Sequence, residues 1–272
     1  MSNSPELINI LGIDQRIQKL MYKEVSVPSY LLDYNSVDEH WYPHPPCLVP
    51  LFLGQGASYK GVVKHFFCDR EVTYVEYSLE NGYISEIARN ADQFITLMVL
   101  KMLITKDELT DEIISFCKQL DYTAYEAADQ FVIDHGDDPA EFRHLPYFGK
   151  TLPFKYVKEL SDYDGDFPSS IHILNTPAIV QNSSKYEIAA DEKLKQTDNL
   201  PAWLTDGNDK KTLFYAYLAN DQFKEAWFSL NSKGWSAEDT AEALTALKNK
   251  SDDEGLALVA DNWIERWRRK LK

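Results

Sequence analysis

The sequence has no apolar run long enough to span a bilayer. Its most apolar window, "FITLMVLKMLI" at 94–104, is about half the length a membrane helix needs and contains Lys101. It also has little cysteine. Three residues, Cys47, Cys68 and Cys117, show no regular spacing, so no disulfide framework is expected and a reducing cytoplasm fits. The opening "MSNSPELINI" lacks a basic stretch followed by an apolar one, so no secretory leader is expected there. The sequon at Asn182 then has no secretory context. Positive charge is scarce as well. With 28 basic and 43 acidic residues the net charge is −15, which repels phosphate backbones and argues against nucleic acid as the main partner.

Familiar catalytic signatures are missing too. No G-x-S-x-G elbow and no H-E-x-x-H helix is present. "GQGASYKG" at 54–61 is not a phosphate loop, because Lys60 precedes Gly61 instead of following the last glycine. It lies between two expected strands and reads as a glycine-rich strand connection. His40, His44, Cys47, His65 and Cys68 invite a zinc reading. Geometry argues against it. His65 and Cys68 fall in one expected strand, three apart and so on opposite faces. Pro43, Pro45 and Pro46 prevent a helix from aligning His40 with His44. No metal and no cofactor is expected.

What is present is apolar and aromatic material, 44% and 13% of the 272 residues, enough for a substantial core. The segment 1–30 is partly helical by pattern. "CLVPLFLG", "GVVKHFFC", "VTYVEYSL" and "YISEIA" are short, rich in β-branched and aromatic residues, and bounded by turn formers. With Asn81-Gly82 as a hairpin turn, they predict an antiparallel meander over 47–88. Asn90 and Gln93 open a helix that is apolar nearly all round. Thr123 and Glu126 cap the next, and Gly136 ends it. Asp138, Pro139 and Glu141 signal another helix start.

Residues 146–205 read as an irregular connector, with "SIHIL" as a short strand. From 206 the chain is helical. Phe223, Ala226, Trp227 and Leu230 share one face. Ser236 caps a helix with Ala241, Leu244 and Leu247 inward. Ser251 and Glu254 cap the last, whose stripe is Leu256, Val259, Ala260, Trp263 and Trp267. The basic tail "RWRRKLK" complements a helix C-terminus. The fold class is therefore α+β: an antiparallel meander sheet flanked by helices in 1–145, the connector 146–205, and a small C-terminal helical unit over 206–272.

The acidity is concentrated. Residues 105–166 hold 15 acidic and 6 basic residues, a net of −9, against −4 before and −2 after. Within it, "DHGDDPAE" at 134–141 gathers Asp134, His135, Asp137, Asp138 and Glu141 at one helix junction. Capping accounts for Gly136, Asp138, Pro139 and Glu141 and leaves Asp134 and Asp137 free for a partner.

The order of "LVPLFLGQGASYKGVVKHFF", "VTYVEY" and "ISEIARNADQFITLMVLKML", residues 49–104 in outline, resembles the SMI1/KNR4 (SUKH) superfamily. That resemblance implies an α+β fold. Many bacterial members look like immunity proteins that neutralise nuclease toxins, and it implies no catalytic residues.

The leading expectation is a non-catalytic, cytoplasmic protein-binding module, of the immunity or inhibitor kind, that masks a basic partner. Asp134, Asp137, Glu141, Phe142 and Tyr147 are its candidate contact residues, and neither nucleic acid nor membrane is a partner. The alternative is a hydrolase-type enzyme assembled from distant residues, with His65 beside Glu76 or Glu86 as its acid–base pair.

Overall fold

In a computed structural model the described residues are 3–37, 41–78, 83–158, 162–165, 201–203, 205, 207–232 and 234–270. The expected Asn81-Gly82 turn and the "SIHIL" strand lie outside them. Five strands pair in chain order, each antiparallel to the next: β1 (Asn35–Ser36), β2 (Leu48–Leu53), β3 (Ser58–Val63), β4 (Thr73–Ser78) and β5 (Tyr83–Ala88). The fold is α+β, with the meander as expected. The sequence reading missed β1, a two-residue pairing too short to leave a pattern.

Register decides what each face of the sheet carries. Phe52 pairs with Lys60 and Lys60 with Glu76, while Leu53 pairs with Tyr59 and Tyr59 with Tyr77. Alternation sends these two sets to opposite faces. On the first, Phe52 and Tyr74 pack on Phe94 of α3 (Ala91–Lys106), at 6.0 and 4.9 Å between ring centroids. Gly61 lets β2 and β3 approach closely. A Cβ built on it would sit 2.3 Å from the Val49 carbonyl oxygen.

On the second face Tyr59 meets His44, which also meets Trp263 of the last helix. Exposing this packing would be costly, since each large aromatic removes on the order of 150–250 Å² from water.

The helices begin and end for local reasons. Before the sheet, α1 (Pro5–Ile10) starts at Ser4, whose hydroxyl accepts from Leu7 N–H, and α2 (Gln15–Met21) starts at Asp14. Asn90 caps α3 by accepting from Gln93 N–H at 2.9 Å. The Gln93 side chain reaches back to the N–H of Arg89 rather than of Asn90, a capping box shifted by one residue. α4 (Asp111–Gln119) is capped by Thr110, a helix the sequence reading did not identify.

α5 (Tyr125–His135) starts one residue later than expected. Ala124 holds the cap position with no side-chain bond, so Thr123 is not the cap, while Gly136 does end the helix at φ +64°. The following 3-10 turn, Pro139–His144, has the expected Asp138 cap and Pro139 start, but its tight winding replaces an α-helix.

Among the described residues four helices follow the connector: α6 (Lys210–Ala219), α7 (Phe223–Leu230), α8 (Ala237–Lys250) and α9 (Glu254–Lys270). Ser236 caps α8 as expected. For α9 the cap is Asp253, whose Oδ1 accepts from Leu256 N–H at 2.9 Å. Ser251 is instead buried, and its hydroxyl has no partner among the described residues.

These helices share the sheet's core. The Trp227 indole donates to His65 Nδ1 at 3.3 Å, Cys47 N–H donates to Asn231 Oδ1 at 2.7 Å, and the Trp263 indole donates to the His44 carbonyl at 3.0 Å. The basic tail also turns inward. Arg266 donates to Asn3, which itself donates to Pro50 O on the outer edge of β2, and Lys270 donates to Trp41 O.

Candidate functional site

The acidic junction is built where α5 meets the 3-10 turn. Behind it, Phe131 and Phe142 meet edge to face at 6.0 Å, and Phe142 meets Phe148 at 5.8 Å and Tyr156 at 4.6 Å. With Leu100, Leu145 and Leu152 they form a satellite core separate from the main one. Phe142 is 4% exposed, so its ring supports the surface from inside. As a contact residue it is corrected: the protein's own core consumes it.

In front, Asp134, Asp137 and Asp138 are exposed and Glu141 is half-buried. Gln130 donates to Asp134 at 3.0 Å, and Glu141 lies 3.6 Å from His144 Nε2. The imidazoles of His135 and His144 stack at 5.6 Å, tying the helix end to the turn. No lysine or arginine among the described residues forms an ion pair with Asp134, Asp137 or Asp138. Their charge faces solvent.

Sequence reasoning missed the most exposed large apolar side chain in this region. Ile133, on α5 beside Asp134, is 70% exposed. Three apolar residues run consecutively at 131–133, and only the placement of the satellite core decides that Phe131 points in and Ile133 out.

Tyr147 is 43% exposed and adopts φ +68°, a conformation that costs a non-glycine residue free energy. It is held there from below. The buried Gln93 donates to Tyr147 O at 3.1 Å and to Thr151 O at 2.6 Å, and the Tyr147 ring rests 5.9 Å from that of Tyr122. Tyr147 is thus presented on the loop after the turn, whereas Asp134, Asp137 and Glu141 ring the junction itself.

The enzyme alternative needs His65 near Glu76 or Glu86. β3 stops at Val63, so His65 and Cys68 lie beyond its end, and the expectation of one strand through both is corrected. The chain leaves the strand path there, with Phe67 at φ +63°. His65 is 3% exposed, stacks on Phe228 at 4.9 Å and accepts from Trp227. Burial pushes its pKa down to about 3 and keeps it neutral.

Glu76 pairs with Lys60 opposite, five residues before His65, which is on the order of 16 Å of extended chain away. Lys60 at 2.8 Å and Lys155 at 2.9 Å outweigh its partial burial and hold it at about 2. Glu86 accepts from Phe154 N–H and from the Tyr163 hydroxyl, and burial pushes it up to about 7. The three groups are committed to separate partners.

Of the other zinc candidates, His44 is buried and pushed down to about 3 by desolvation. Cys47 is buried and pushed up to about 12 by the same cause, and Cys68 is half-buried. His40 lies outside the described residues. Among the described residues no three His, Cys, Asp or Glu side chains converge as a metal site would require. A groove of about 250 Å³ opens between α2, the following loop and β2, lined by Leu20, Val25, Pro28, Leu31, Tyr34 and Phe52. It contains no acid–base couple. No helix among the described residues is long and apolar enough to cross a membrane.

Comparison of the chain with protein-family models, with curated proteins and with solved structures gives no match.

Proposed function

We propose that the chain is a non-catalytic, cytoplasmic protein-binding module of the immunity or inhibitor kind, and that its partner is a basic protein such as a nuclease toxin. One observation carries the reading: at the end of α5 the exposed Ile133 lies beside Asp134, with exposed Asp137 and Asp138 following, and none of the three carboxylates forms an ion pair with a lysine or arginine among the described residues, on an aromatic-backed junction. Affinity rests on a few apolar anchors, and complementary charge speeds encounter. A basic enzyme that must approach phosphates presents the matching surface. The resemblance of 49–104 to the SMI1/KNR4 superfamily supports the same class of partner.

The test is affinity capture from lysate of the native organism at low salt, followed by elution with salt and mass spectrometry. The expected product is one basic protein, lost when Asp134, Asp137 and Glu141 are replaced by Asn, Asn and Gln. Capture that survives the triple replacement would move the binding surface elsewhere. Turnover of a substrate by the purified chain alone would replace the binding reading with an enzymatic one.

A further inference from the structure

Strand β5 is the last strand of the sheet, and its outer side is covered by a segment from beyond the acidic junction. Phe154 and Tyr163 of that segment meet edge to face at 5.1 Å. Both direct a donor at one carboxylate. Glu86, 0% exposed, accepts from Phe154 N–H at 3.0 Å and from the Tyr163 hydroxyl at 3.1 and 3.0 Å, and the Thr73 hydroxyl on β4 bonds to it as well.

The neighbouring cation is already shared. Arg89 holds both oxygens of Glu71, at 2.8 and 2.9 Å, and also pairs with Asp164. Its guanidinium lies 5.6 Å from the Tyr163 ring centroid. With Glu71, Asp164 and Glu86 all ionised, three negative charges surround one positive one. Glu86 is the most buried of the three, so it has most to gain from neutrality.

We propose that residues 153–158 and 162–164 act as a strap whose docking against β5 is set by a proton on Glu86, tight when the carboxyl is neutral and loosened when it ionises. The sign follows from burial. Desolvation raises the docked group to about 7, above the ordinary 4.5, so docking takes up a proton. The added stability is complete below the ordinary carboxylate range and is lost as pH rises through about 7.

Among the described residues around the strap several charged groups are paired, whereas Lys158 is exposed and forms no ion pair. Lys155 bonds Glu76, Arg143 bonds Asp162, and Arg89 bonds Glu71 and Asp164. His135 and His144 reach the strap through Phe131, Phe142 and Tyr156.

Hydrogen exchange of the intact chain tests the proposal, read at residues 153–158 and corrected for intrinsic exchange. Between pH 5.5 and 8.0 protection of this segment should fall by roughly 30-fold. Glu86→Gln should flatten that change while leaving the segment protected at pH 5.5. Tyr163→Phe keeps the carboxyl but removes a donor that favours its ionised form, and should steepen the change. Equal protection at both pH values in the unaltered chain overturns the proposal. So does an undiminished fall in Glu86→Gln, which would assign the effect to a group other than Glu86. If Glu86→Gln does not fold, an unchanged pH response in Tyr163→Phe overturns it.

Discussion

The C-terminal helices and the acidic junction are both rich in aromatic and charged residues, yet they use them in opposite directions. In the helices Trp227, Trp235 and Trp263 are fully buried, and Trp267 is 6% exposed. Even the basic tail spends donors inward, on Asn3 and the Trp41 carbonyl. At the junction the aromatic rings are buried behind the surface, while Ile133, Asp134 and Asp137 point away from the chain. The indole and tail donors named in the first region are spent on the fold, and the acidic tips of the second are not. Charge content alone would have ranked the basic tail as a candidate surface; the inward donors of Arg266 and Lys270 weaken that ranking, although Arg268 and Arg269 stay exposed.

The largest effect should come from breaking the first region. Trp227→Ala empties a fully buried site and leaves His65 Nδ1 without its donor. A loss of about 3–5 kcal/mol is expected, read as a shift of the urea midpoint. A loss below about 1 kcal/mol would mean that the helices contribute little to the sheet's stability, and the comparison would lose its first half.

Acid should act on the same region next. His44 and His65 are both buried and pushed down to about 3 by desolvation. Each is neutral when folded and ordinary when unfolded. Their depressed values mean that stability is complete above about 6.5 and is lost as pH falls toward 3. At pH 5 each should cost about 2 kcal/mol. Replacing His65 by Phe should flatten part of the slope between pH 7 and 5. Glu86 acts with the opposite sign over this range, so the slope is expected to steepen further in Glu86→Gln. A flat profile from pH 7 to 5 in the unaltered chain would contradict burial of the two rings.

A third effect sharpens what the sheet requires beneath both regions. Gly61→Ala would place a methyl group 2.3 Å from Val49 O, a backbone atom that cannot rotate away. The cost should be about 1–3 kcal/mol, measured by thermal melting. Gly56→Ala, also unfavourable because of φ +67°, meets no atom within 4 Å and should cost about 1 kcal/mol. The difference between the two separates close approach from backbone strain.

Much of this arrangement was readable beforehand, and the exceptions have physical causes. The meander was legible because each strand is bounded by turn formers and carries a β-rich composition. The cap at Asn90 and the stripe from Leu256 to Trp267 were legible because both are local. The end of β3 was not. "KHFF" continues the strand composition, and only the left-handed Phe67 and the helices packed on His65 show that the chain turns away. The pairing of His65 with Trp227 joins positions 162 apart in sequence, beyond any periodicity. At the candidate site the acids were legible as charge left over after capping. Ile133 was not, because an exposed isoleucine and a buried one look alike in a helix until the core behind them is known.

The smallest effect on stability is the one that decides whether the second region differs in kind. Asp134, Asp137 and Glu141 form no ion pair with lysine or arginine among the described residues, and two of them are exposed. Replacing them by Asn, Asn and Gln should change stability by no more than about 0.5 kcal/mol, since surface substitutions away from packed features rarely exceed this. The same replacement should slow association with a basic partner. Steering by clustered charge is worth roughly 10–10³-fold in on-rate at low salt, and added salt removes it. Stopped-flow association with the captured partner, at two ionic strengths, reads both effects. Ile133→Ala separates charge from anchoring: it should leave the on-rate nearly unchanged and speed dissociation. An unaltered on-rate at low salt in the triple variant would remove the junction from the binding argument. The net −9 of 105–166 would then act through solubility alone.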